Sequence, residues 1–289
     1  MEQIIANGLY LGAQYALIAL GLTLIFALMN VLNFAHGQMY VLGGFVTYTI
    51  YGQLGLPYVV ALLCSALTLA GVGALIEKFL FRPVIRRSLR EESTMLLAAG
   101  IAFFLDAVIL LLFGEKQRGV PKIVNGVLNW DFRLIMPYDR ILIGVLAIVI
   151  IAAFILFMQY SRTGRAMRAL AQNRTAAQLQ GVDVDRYSMI GFALGAMLAG
   201  VVGGLLVTIT GINLGMGGPT SIKAFMMVMI GGAGVISGAI AGGFILGMME
   251  SIGLTVLSQY GDITYLVIFA SLMVFLAIRP QGLMGKPWG

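Results

Sequence analysis

The feature that most constrains the fold is a series of long apolar runs, each near the length that a helix needs to cross a bilayer. A transmembrane helix requires about 20 predominantly apolar residues, because the hydrocarbon core is about 30 Å thick. Only helices and closed barrels satisfy their backbone groups there. Nine runs approach this length: residues 4–29, 32–51, 57–81, 95–113, 141–158, 187–210, 222–236, 238–258 and 263–278. They predict an all-α polytopic membrane protein with about eight or nine transmembrane helices.

The composition excludes the other broad classes of protein. Of 289 residues, 60% are hydrophobic and 10% are charged, whereas an ordinary soluble domain has about 25% charged residues. A net charge of +6 in so apolar a chain indicates basic loops at an anionic membrane face rather than nucleic-acid binding. The one cysteine, Cys64, cannot form an internal disulfide, and one histidine cannot build a metal site. We therefore expect no metal and no other cofactor.

The distribution of basic residues predicts the orientation, because short loops rich in Lys and Arg stay cytoplasmic. Two clusters and the tail contain eleven of them: Arg82, Arg86, Arg87, Arg90, Arg162, Arg165, Arg168, Arg174, Arg186, Arg279 and Lys286. The amphipathic segment 114–140 contains five: Lys116, Arg118, Lys122, Arg133 and Arg140. We expect one transmembrane domain over residues 1–289, with 114–140 outside, 161–186 cytoplasmic, the N-terminus outside and the C-terminus cytoplasmic. A re-entrant run 222–236 would instead place the tail outside.

Glycines recur at four-residue spacing in the second half of the chain. The sets are Gly191 with Gly195, Gly234 with Gly238 and Gly242, and Gly243 with Gly247. Small residues at this spacing allow helix backbones to approach closely in lipid. We interpret them as packing surfaces rather than as direct substrate contacts.

Two irregular polar segments are candidates for a transport pathway. Residues 30–38 contain Asn30, Asn33, His36 and Gln38, directly before an apolar run that is too short to cross the membrane alone. Such groups at membrane depth must be buried in protein or line a cavity, although a wet loop at the interface explains them equally well. In the second half, the glycine-rich residues 211–219 precede a short span that contains Lys223. Interrupted segments in both halves of a chain indicate a transport site between them.

Ionisable residues also occur within the apolar runs. Asp106 and Glu250 lie far from the run ends, and Glu77 and Lys78 lie near one. Charged groups in a bundle are costly unless they face its interior, so we expect Asp106 and Glu250 to make structural hydrogen bonds or partner contacts rather than to relay ions or protons. Glu77 and Lys78 can extend to the interface or pair as neighbours.

The polar segment 161–186 predicts two short helices between spans. The first, over about residues 164–172, groups Met167, Leu170 and Ala171 away from the arginines by helical spacing. The second begins at Thr175, which forms a capping-box pattern with Gln178, and stops near Gly181. Such a pair projects as a docking knob or lies on anionic headgroups; the residues alone favour docking only slightly.

The chain resembles the branched-chain amino acid permeases of ATP-binding cassette importers. The similarity covers nearly the whole chain and includes these elements, in order: Asn33-Phe-Ala-His-Gly37, Phe81-Arg-Pro83, Ser161-Arg-Thr-Gly-Arg-Ala-Met-Arg168, Gly181-Val-Asp183, Lys223-Ala-Phe225, Gly231-Gly-Ala-Gly-Val-Ile-Ser-Gly238 and Pro280-Gln-Gly282. The resemblance implies a type II importer-like helical bundle in a bacterial inner membrane. Members of this family also carry urea, short amides and aromatic acids.

The resemblance also implies partners and site residues. Two cytoplasmic ATPases, an extracytoplasmic solute-binding protein and a second, similar permease are expected to assemble with the chain. The expected pathway residues are Asn33, His36, Gln38, Asn213 and Lys223, with His36 as a neutral hydrogen-bond partner. The expected ATPase-coupling residues are Arg162, Thr163, Gly164, Arg165, Met167, Arg168 and Leu170.

Alternative functions require features that the sequence lacks or leaves unused. No Gly-x-x-x-x-Gly-Lys-Ser/Thr phosphate loop is present, so the chain is not expected to be an enzyme and ATP hydrolysis is assigned to partners. A self-contained carrier or channel for a small neutral solute such as urea or an amide would leave the segment 161–186 without a role. An intramembrane protease is disfavoured, because Tyr260-Gly-Asp262 lacks the glycine that would precede it in such a motif.

Overall fold

The structure is a computed structural model that describes residues 1–87, 91–130, 134–256 and 263–285. The predicted basic residues Arg90, Arg133 and Lys286, and the segment 260–262, lie outside these ranges. The described helices are α1 (Glu2–Met29), α2 (His36–Thr47), α3 (Tyr58–Ile76), α4 (Arg82–Arg87), α5 (Glu91–Phe113), α6 (Tyr138–Tyr160), α7 (Arg162–Gln172), α8 (Arg174–Leu179), α9 (Val184–Thr210), α10 (Gly217–Gly231), α11 (Ile236–Val256) and α12 (Ile263–Ile278). A π-helical turn extends α2 over Tyr48–Gln53, another joins α3 to α4 over Glu77–Phe81, and a 3-10 turn at Leu214–Met216 precedes α10.

Each of the nine apolar runs coincides with a helix. Within the described ranges, six helical stretches are long and apolar enough to cross a membrane. These six contain α1, α3 with α4, α5, α6, α9 and α11. The helices α2, α10 and α12 are shorter, at 12, 15 and 16 residues. The helical membrane fold is therefore confirmed, whereas eight or nine complete crossings stay a prediction.

One end of the bundle is defined by a β-hairpin and is called here the hairpin end. Strands β1 (Val127–Trp130) and β2 (Leu134–Pro137) pair antiparallel within the segment 114–140, so the expectation of an all-α chain was incomplete. Gln3 donates to the carbonyl of Ile135 at 3.1 Å and accepts from its amide at 2.9 Å, which fastens β2 to the start of α1. Asp139 accepts from the amides of Ile123 and Val124 at 3.0 and 2.9 Å. Side chains on α1 and α6 thus supply the hydrogen bonds that helical backbone would otherwise make.

The opposite end is called the knob end, because α7 and α8 form a two-helix knob there. Ser161 caps α7 by accepting from the amide of Gly164 at 2.8 Å. The helix begins at Arg162, two residues earlier than predicted. Asn173, rather than Thr175, caps α8 by accepting from the amide of Ala176 at 2.9 Å. An asparagine cap satisfies the first turn as well as a threonine does, and it leaves Thr175 within the helix. Gly181 follows α8 with a φ of 81°, as its predicted role as a stop requires.

Glycines hold the central helices at backbone contact. A Cβ atom on Gly195 would lie 2.6 Å from the carbonyl oxygen of Gly21, and one on Gly247 would lie 2.4 Å from the amide nitrogen of Gly12. The same crowding surrounds the other predicted packing glycines except Gly234, whose φ of 80° places it in the turn before α11. Most of the small-residue prediction is confirmed, and α1 is consequently buried on almost all sides between α9 and α11.

Candidate functional site

The two irregular segments predicted from the sequence meet inside the bundle. Helix α1 ends at Asn30, which has a φ of 54°, and α2 begins again beside the middle of α1. Ser221 on α10 joins the two breaks, because its Oγ accepts from the amide of Gly37 at 2.8 Å and donates to the carbonyl of Phe34 at 2.9 Å. A Cβ on Gly37 would lie 1.9 Å from the carbonyl oxygen of Gly217. The starts of α2 and α10 are therefore in direct backbone contact.

Asn33 and His36 are fully buried at this junction. Asn33 Oδ1 accepts from the amide of Ala35 at 3.1 Å, which shapes the turn into α2. His36 Nε2 lies 3.1 Å from the carbonyl oxygen of Ile18 and so connects α2 to α1. Neither side chain lines the large cavity described below. Their hydrogen bonds position the broken helix, and their predicted role in the pathway stays a prediction.

Gln38 and Asp106 form a second buried contact near the junction. Gln38 Nε2 donates to Asp106 Oδ2 at 3.4 Å, and the Gln38 side chain packs against Gly217. This contact connects α2 to α5 and to the start of α10. The interaction of Asp106 is a hydrogen bond between helices, the kind of structural contact expected for it.

A cavity of about 710 Å³ lies between α1, α9, α10 and α11 and extends to the hairpin end. Asn213 and Lys223, two of the five predicted pathway residues, line it, as does Glu250. Apolar walls come from both halves of the chain and include Leu11, Ile18, Leu206, Ile209 and Leu254. The remaining three predicted residues, Asn33, His36 and Gln38, lie outside the lining, so the structure divides the predicted set between the cavity and the junction.

Three polar side chains form one ionic cluster in the cavity wall, here called the Lys223 cluster: Lys223, Glu250 and Tyr15. Lys223 Nζ lies 2.8 and 3.0 Å from the two carboxylate oxygens of Glu250 and 2.8 Å from the Tyr15 hydroxyl. Tyr15 in turn donates to Glu250 Oε2 at 2.5 Å. The cluster joins α10, α11 and α1, and its formal charges cancel. Tyr15 could not be predicted as a site residue from the sequence, because its partners Lys223 and Glu250 lie 208 and 235 positions away.

A second ionic cluster lies at the knob end and differs from one of the two alternatives predicted for Glu77 and Lys78, their pairing as neighbours. Glu77, which is 2% exposed, pairs instead with Arg82 at 2.7 Å, while Lys78 extends over Phe79. Arg82 also donates to the carbonyl of Asp185 at 3.1 Å, and Arg86 pairs with the Asp185 carboxylate. The π-helical turn at Glu77–Phe81 turns Glu77 inward, which explains why the neighbour pairing failed. These contacts fasten α4 to the first turn of α9.

The predicted ATPase-coupling residues divide into an inner and an outer set. Met167 and Leu170 are buried, and Gly164 has no room for a side chain because a Cβ would lie 2.5 Å from the carbonyl oxygen of Met158. Arg165 donates to the carbonyl of Tyr160 at 2.7 Å, and Arg168 donates to the carbonyl of Met158, so both arginines cap α6. Arg162 is exposed and Thr163 is half-buried. The outer surface of the knob also includes Arg174 and Leu179, which is 83% exposed.

The chain is similar over nearly its whole length to known transport permeases. The family described as "Branched-chain amino acid transport system / permease component" matches residues 4–276. The chain is 34% identical to the high-affinity branched-chain amino acid transport system permease protein LivH of Escherichia coli K12, over 97% of this chain and 94% of that protein. It is 33% identical to the permease protein BraD of Pseudomonas aeruginosa, over 99% and 96% of the two chains. Among solved structures, PsaBC from Streptococcus pneumoniae in complex with Fab is similar in fold, with a TM-score of 0.52 at 12% identity over 95% of this chain and 91% of that chain.

Proposed function

The chain belongs to the branched-chain amino acid transport permease family, and from this premise we propose that it forms part of the translocation pathway for branched-chain amino acids in an ATP-binding cassette importer. The chain is a permease subunit; its solute, its partners and its orientation are the proposed parts. The relatives are named as permease proteins of branched-chain amino acid transport systems. The apolar walls of the cavity suit an aliphatic side chain.

The observation that carries the proposal is the path of α10. This helix starts at the junction with α2, carries Lys223 into the cavity, and ends at Gly231 at the knob end. There Met229 shares a groove with Leu170 of α7, Arg174 of α8 and the tail residues Pro280 and Gln281. One rigid element therefore connects the solute cavity to the knob, as coupling between ATP hydrolysis and transport requires.

We assign the hairpin end to the outside and the knob end to the cytoplasm. The excess of basic residues in the clusters around Arg82 and Arg162 supports this orientation. The start of α1 lies at the hairpin end, and the tail lies at the knob end, where Leu283 donates to the carbonyl of Ile230 at 2.8 Å. In this arrangement two ATPases engage the knobs of the chain and of a second, similar permease, and a solute-binding protein docks at the hairpin end.

The hairpin end offers a direct route from a docked binding protein to the cavity. Arg118 and Ile212 exchange backbone hydrogen bonds of 2.8 and 2.7 Å, which join the segment 114–140 to the break before α10. Gln117 adds a hydrogen bond of 2.7 Å to the carbonyl of Thr210. Movement of the outer segment therefore acts on the break that leads to Asn213 and Lys223. We propose that docking outside and ATP binding inside act on α10 from its two ends.

The test is reconstitution with the partner subunits in proteoliposomes. The expected result is uptake of leucine, isoleucine or valine that requires the binding protein and ATP on the ATPase side. The control is the same complex with an ATPase that cannot hydrolyse ATP. Uptake by this chain alone, without ATPases or ATP, would contradict the importer assignment and support a secondary carrier.

A further inference from the structure

We propose that the Lys223 cluster is a binding site for the charged groups of a zwitterionic amino acid, with Lys223 and Tyr15 holding the α-carboxylate and Glu250 holding the α-ammonium. The inference rests on the proposed function, since it assumes that an amino acid enters the cavity. It adds a recognition site within the permease itself. Three features support this site: the position of the cluster, the polar atoms around it and the charge balance of the solute.

The position of the cluster is the first argument. Buried ion pairs contribute little net stability, because the loss of hydration offsets most of the attraction, and apolar residues of similar volume are often as stable. Ionisable groups within membrane helices accordingly indicate function when they face a cavity. The Lys223 side chain is 26% exposed and the Glu250 side chain is 6% exposed, and both line the cavity. The pair is therefore reachable from the cavity while it stays shielded from lipid.

Two further buried side chains in the same wall provide an independent argument. Gln14 is fully buried and Tyr10 is 8% exposed, and both line the cavity. Gln14 Oε1 and the Tyr10 hydroxyl have no hydrogen-bond partner within the described residues. Gln14 Nε2 donates to the carbonyl of Ile143 at 3.4 Å, which holds the amide group in the wall. Buried polar atoms normally have partners, so these atoms indicate a polar solute that completes them.

The chemistry of a zwitterion matches these groups. An ammonium group donates three hydrogen bonds, which suit the Glu250 carboxylate and Gln14 Oε1. A carboxylate accepts from Lys223 Nζ and from the Tyr15 hydroxyl once Glu250 is engaged by the ammonium. The solute replaces one attraction within the pair by two attractions to itself, and the summed formal charge of Lys223, Glu250 and the solute is zero before and after. No uncompensated charge is created during the exchange.

The apolar walls select the rest of the solute. Leu11, Ile18 and Leu206 line the same cavity as the cluster, and its volume of about 710 Å³ lies within the range of about 300–1,000 Å³ for small-molecule sites. An aliphatic side chain is accommodated there without a polar partner. A neutral amide lacks both charges and would leave the ion pair closed.

The first test uses the unaltered complex and needs no variant. Equilibrium binding of radiolabelled leucine to the permease complex in lipid nanodiscs, without the binding protein, is measured in competition with 3-methylbutylamine and with 4-methyl-2-oxopentanoate. Each competitor keeps the aliphatic group and one of the two charges. We expect each to compete at least about tenfold more weakly than unlabelled leucine, because a partner of the missing charge is left unpaired. Equal competition by either compound would overturn the proposal.

The second test uses variants that keep the shape of the site. Lys223→Gln with Glu250→Gln removes both charges together, and Thr49→Val, whose side chain lies outside the cavity and whose hydroxyl donates to the carbonyl of Phe45, is the control. We expect the double variant to lose at least about tenfold in leucine binding while it assembles with its partners, and the control to bind as the unaltered chain does. Unchanged leucine binding by the double variant would overturn the inference and leave the importer function standing. Absence of leucine uptake by the unaltered complex would instead contradict the proposed function.

Discussion

At the scale of single residues, the junction between the two broken helices depends on a few atoms. Ser221 supplies one hydroxyl that serves both a backbone donor, Gly37, and a backbone acceptor, Phe34. Gly37 and Gly217 have no side chains, and this permits the close contact between their backbones. In the break before α2, this hydroxyl bonds to two backbone groups that water would satisfy at a surface.

The first prediction concerns Ser221. Ser221→Ala removes both hydrogen bonds and leaves the amide of Gly37 unsatisfied, so we expect a loss of about 1–3 kcal/mol in the free energy of unfolding. Unfolding by SDS in mixed micelles measures the change. Ser271→Ala is the control, because Ser271 Oγ bonds only locally, to the carbonyl of Ile268. Equal losses for the two variants would show that the junction is not held by Ser221.

Several site residues could be predicted from the sequence, and others could not, for a physical reason. Lys223 and Glu250 are conspicuous because charges are expensive in apolar runs. Their pairing with Tyr15 could not be predicted, because Tyr15 is 208 positions from Lys223. In addition, helices that are apolar on all sides have no periodic apolar face that would predict their orientation. For the same reason Asn33, His36 and Gln38 could be recognised as unusual, but their place at the junction rather than in the cavity could not be foreseen.

At the scale of elements, the knob is a rigid attachment whose inner and outer faces have different roles. Gly164, Met167 and Leu170 fasten α7 to α6, and the arginines at positions 165 and 168 cap the end of α6. The knob also borders the groove that contains the end of α10, so we expect movement of the knob to reach both α6 and α10. The outer face, with Arg162, Arg174 and Leu179, remains for a partner.

The second prediction separates the two faces of the knob. Leu179→Asp replaces an exposed apolar side chain on the outer face, and we expect at least about tenfold weaker ATPase association with an unchanged Tm of the isolated permease. Val124→Asp is the control, since Val124 is exposed at the hairpin end. Co-purification of the ATPase and thermal unfolding are the measurements. Undiminished association in Leu179→Asp would place the docking surface elsewhere.

Gly164→Ala gives the complementary third prediction for the inner face of the knob. The added Cβ meets the backbone of Met158 at 2.5 Å, and backbone cannot move aside as a flexible side chain can. We expect a loss of about 1–3 kcal/mol of stability from this overpacking, measured by the same unfolding assay. A variant as stable as the unaltered chain would show that α7 does not bear on α6.

The fourth prediction concerns the ionic cluster at the knob end. Arg82→Gln leaves Glu77 buried without its ion-pair partner, and such a loss costs up to about 3–5 kcal/mol. We expect the double variant Arg82→Gln with Glu77→Gln to recover a substantial part of that loss, because no buried charge remains. A complete double-mutant cycle by SDS unfolding measures the coupling. Additive losses would indicate that the two side chains do not interact.

Element positions were more predictable than element ends. The apolar runs located every long helix, because bilayer thickness sets their length. The β-hairpin was not anticipated, because the contact that fastens it to the bundle joins Ile135 to Gln3, 132 positions away in the sequence. Helix α10 begins at Gly217, five residues before its apolar run, and Gly217 and Ser221 near its start pack against α2.

At the scale of the whole molecule, the two ends of the bundle have different proposed roles. The orientation of the chain in the membrane determines which partner can bind at which end. The hairpin end contains the approach to the cavity, and the knob end contains the proposed coupling surfaces. The start of the chain and residue 285 lie at opposite ends. Orientation is therefore a property that one experiment on either end can determine.

The fifth prediction is the labelling pattern of introduced cysteines. Cys64 is the only cysteine of the chain, so Cys64→Ala provides a background without thiols. In that background we expect Glu115→Cys to react with a membrane-impermeant maleimide in intact spheroplasts, and Gln178→Cys to react only after the membrane is opened. The two variants are each other's controls. The reverse pattern would invert the proposed orientation.

The contact between Gly37 and Ser221 also has a consequence for biosynthesis. The two residues are 184 positions apart, and translation at about 5–20 residues per second takes roughly 10–40 s to cover that distance. During this interval the first broken helix is in the membrane without the serine hydroxyl that completes it. We therefore expect the insertion machinery to protect the first half of the nascent chain during this interval. A chain that stops before α10 is expected to be a substrate for membrane proteolysis.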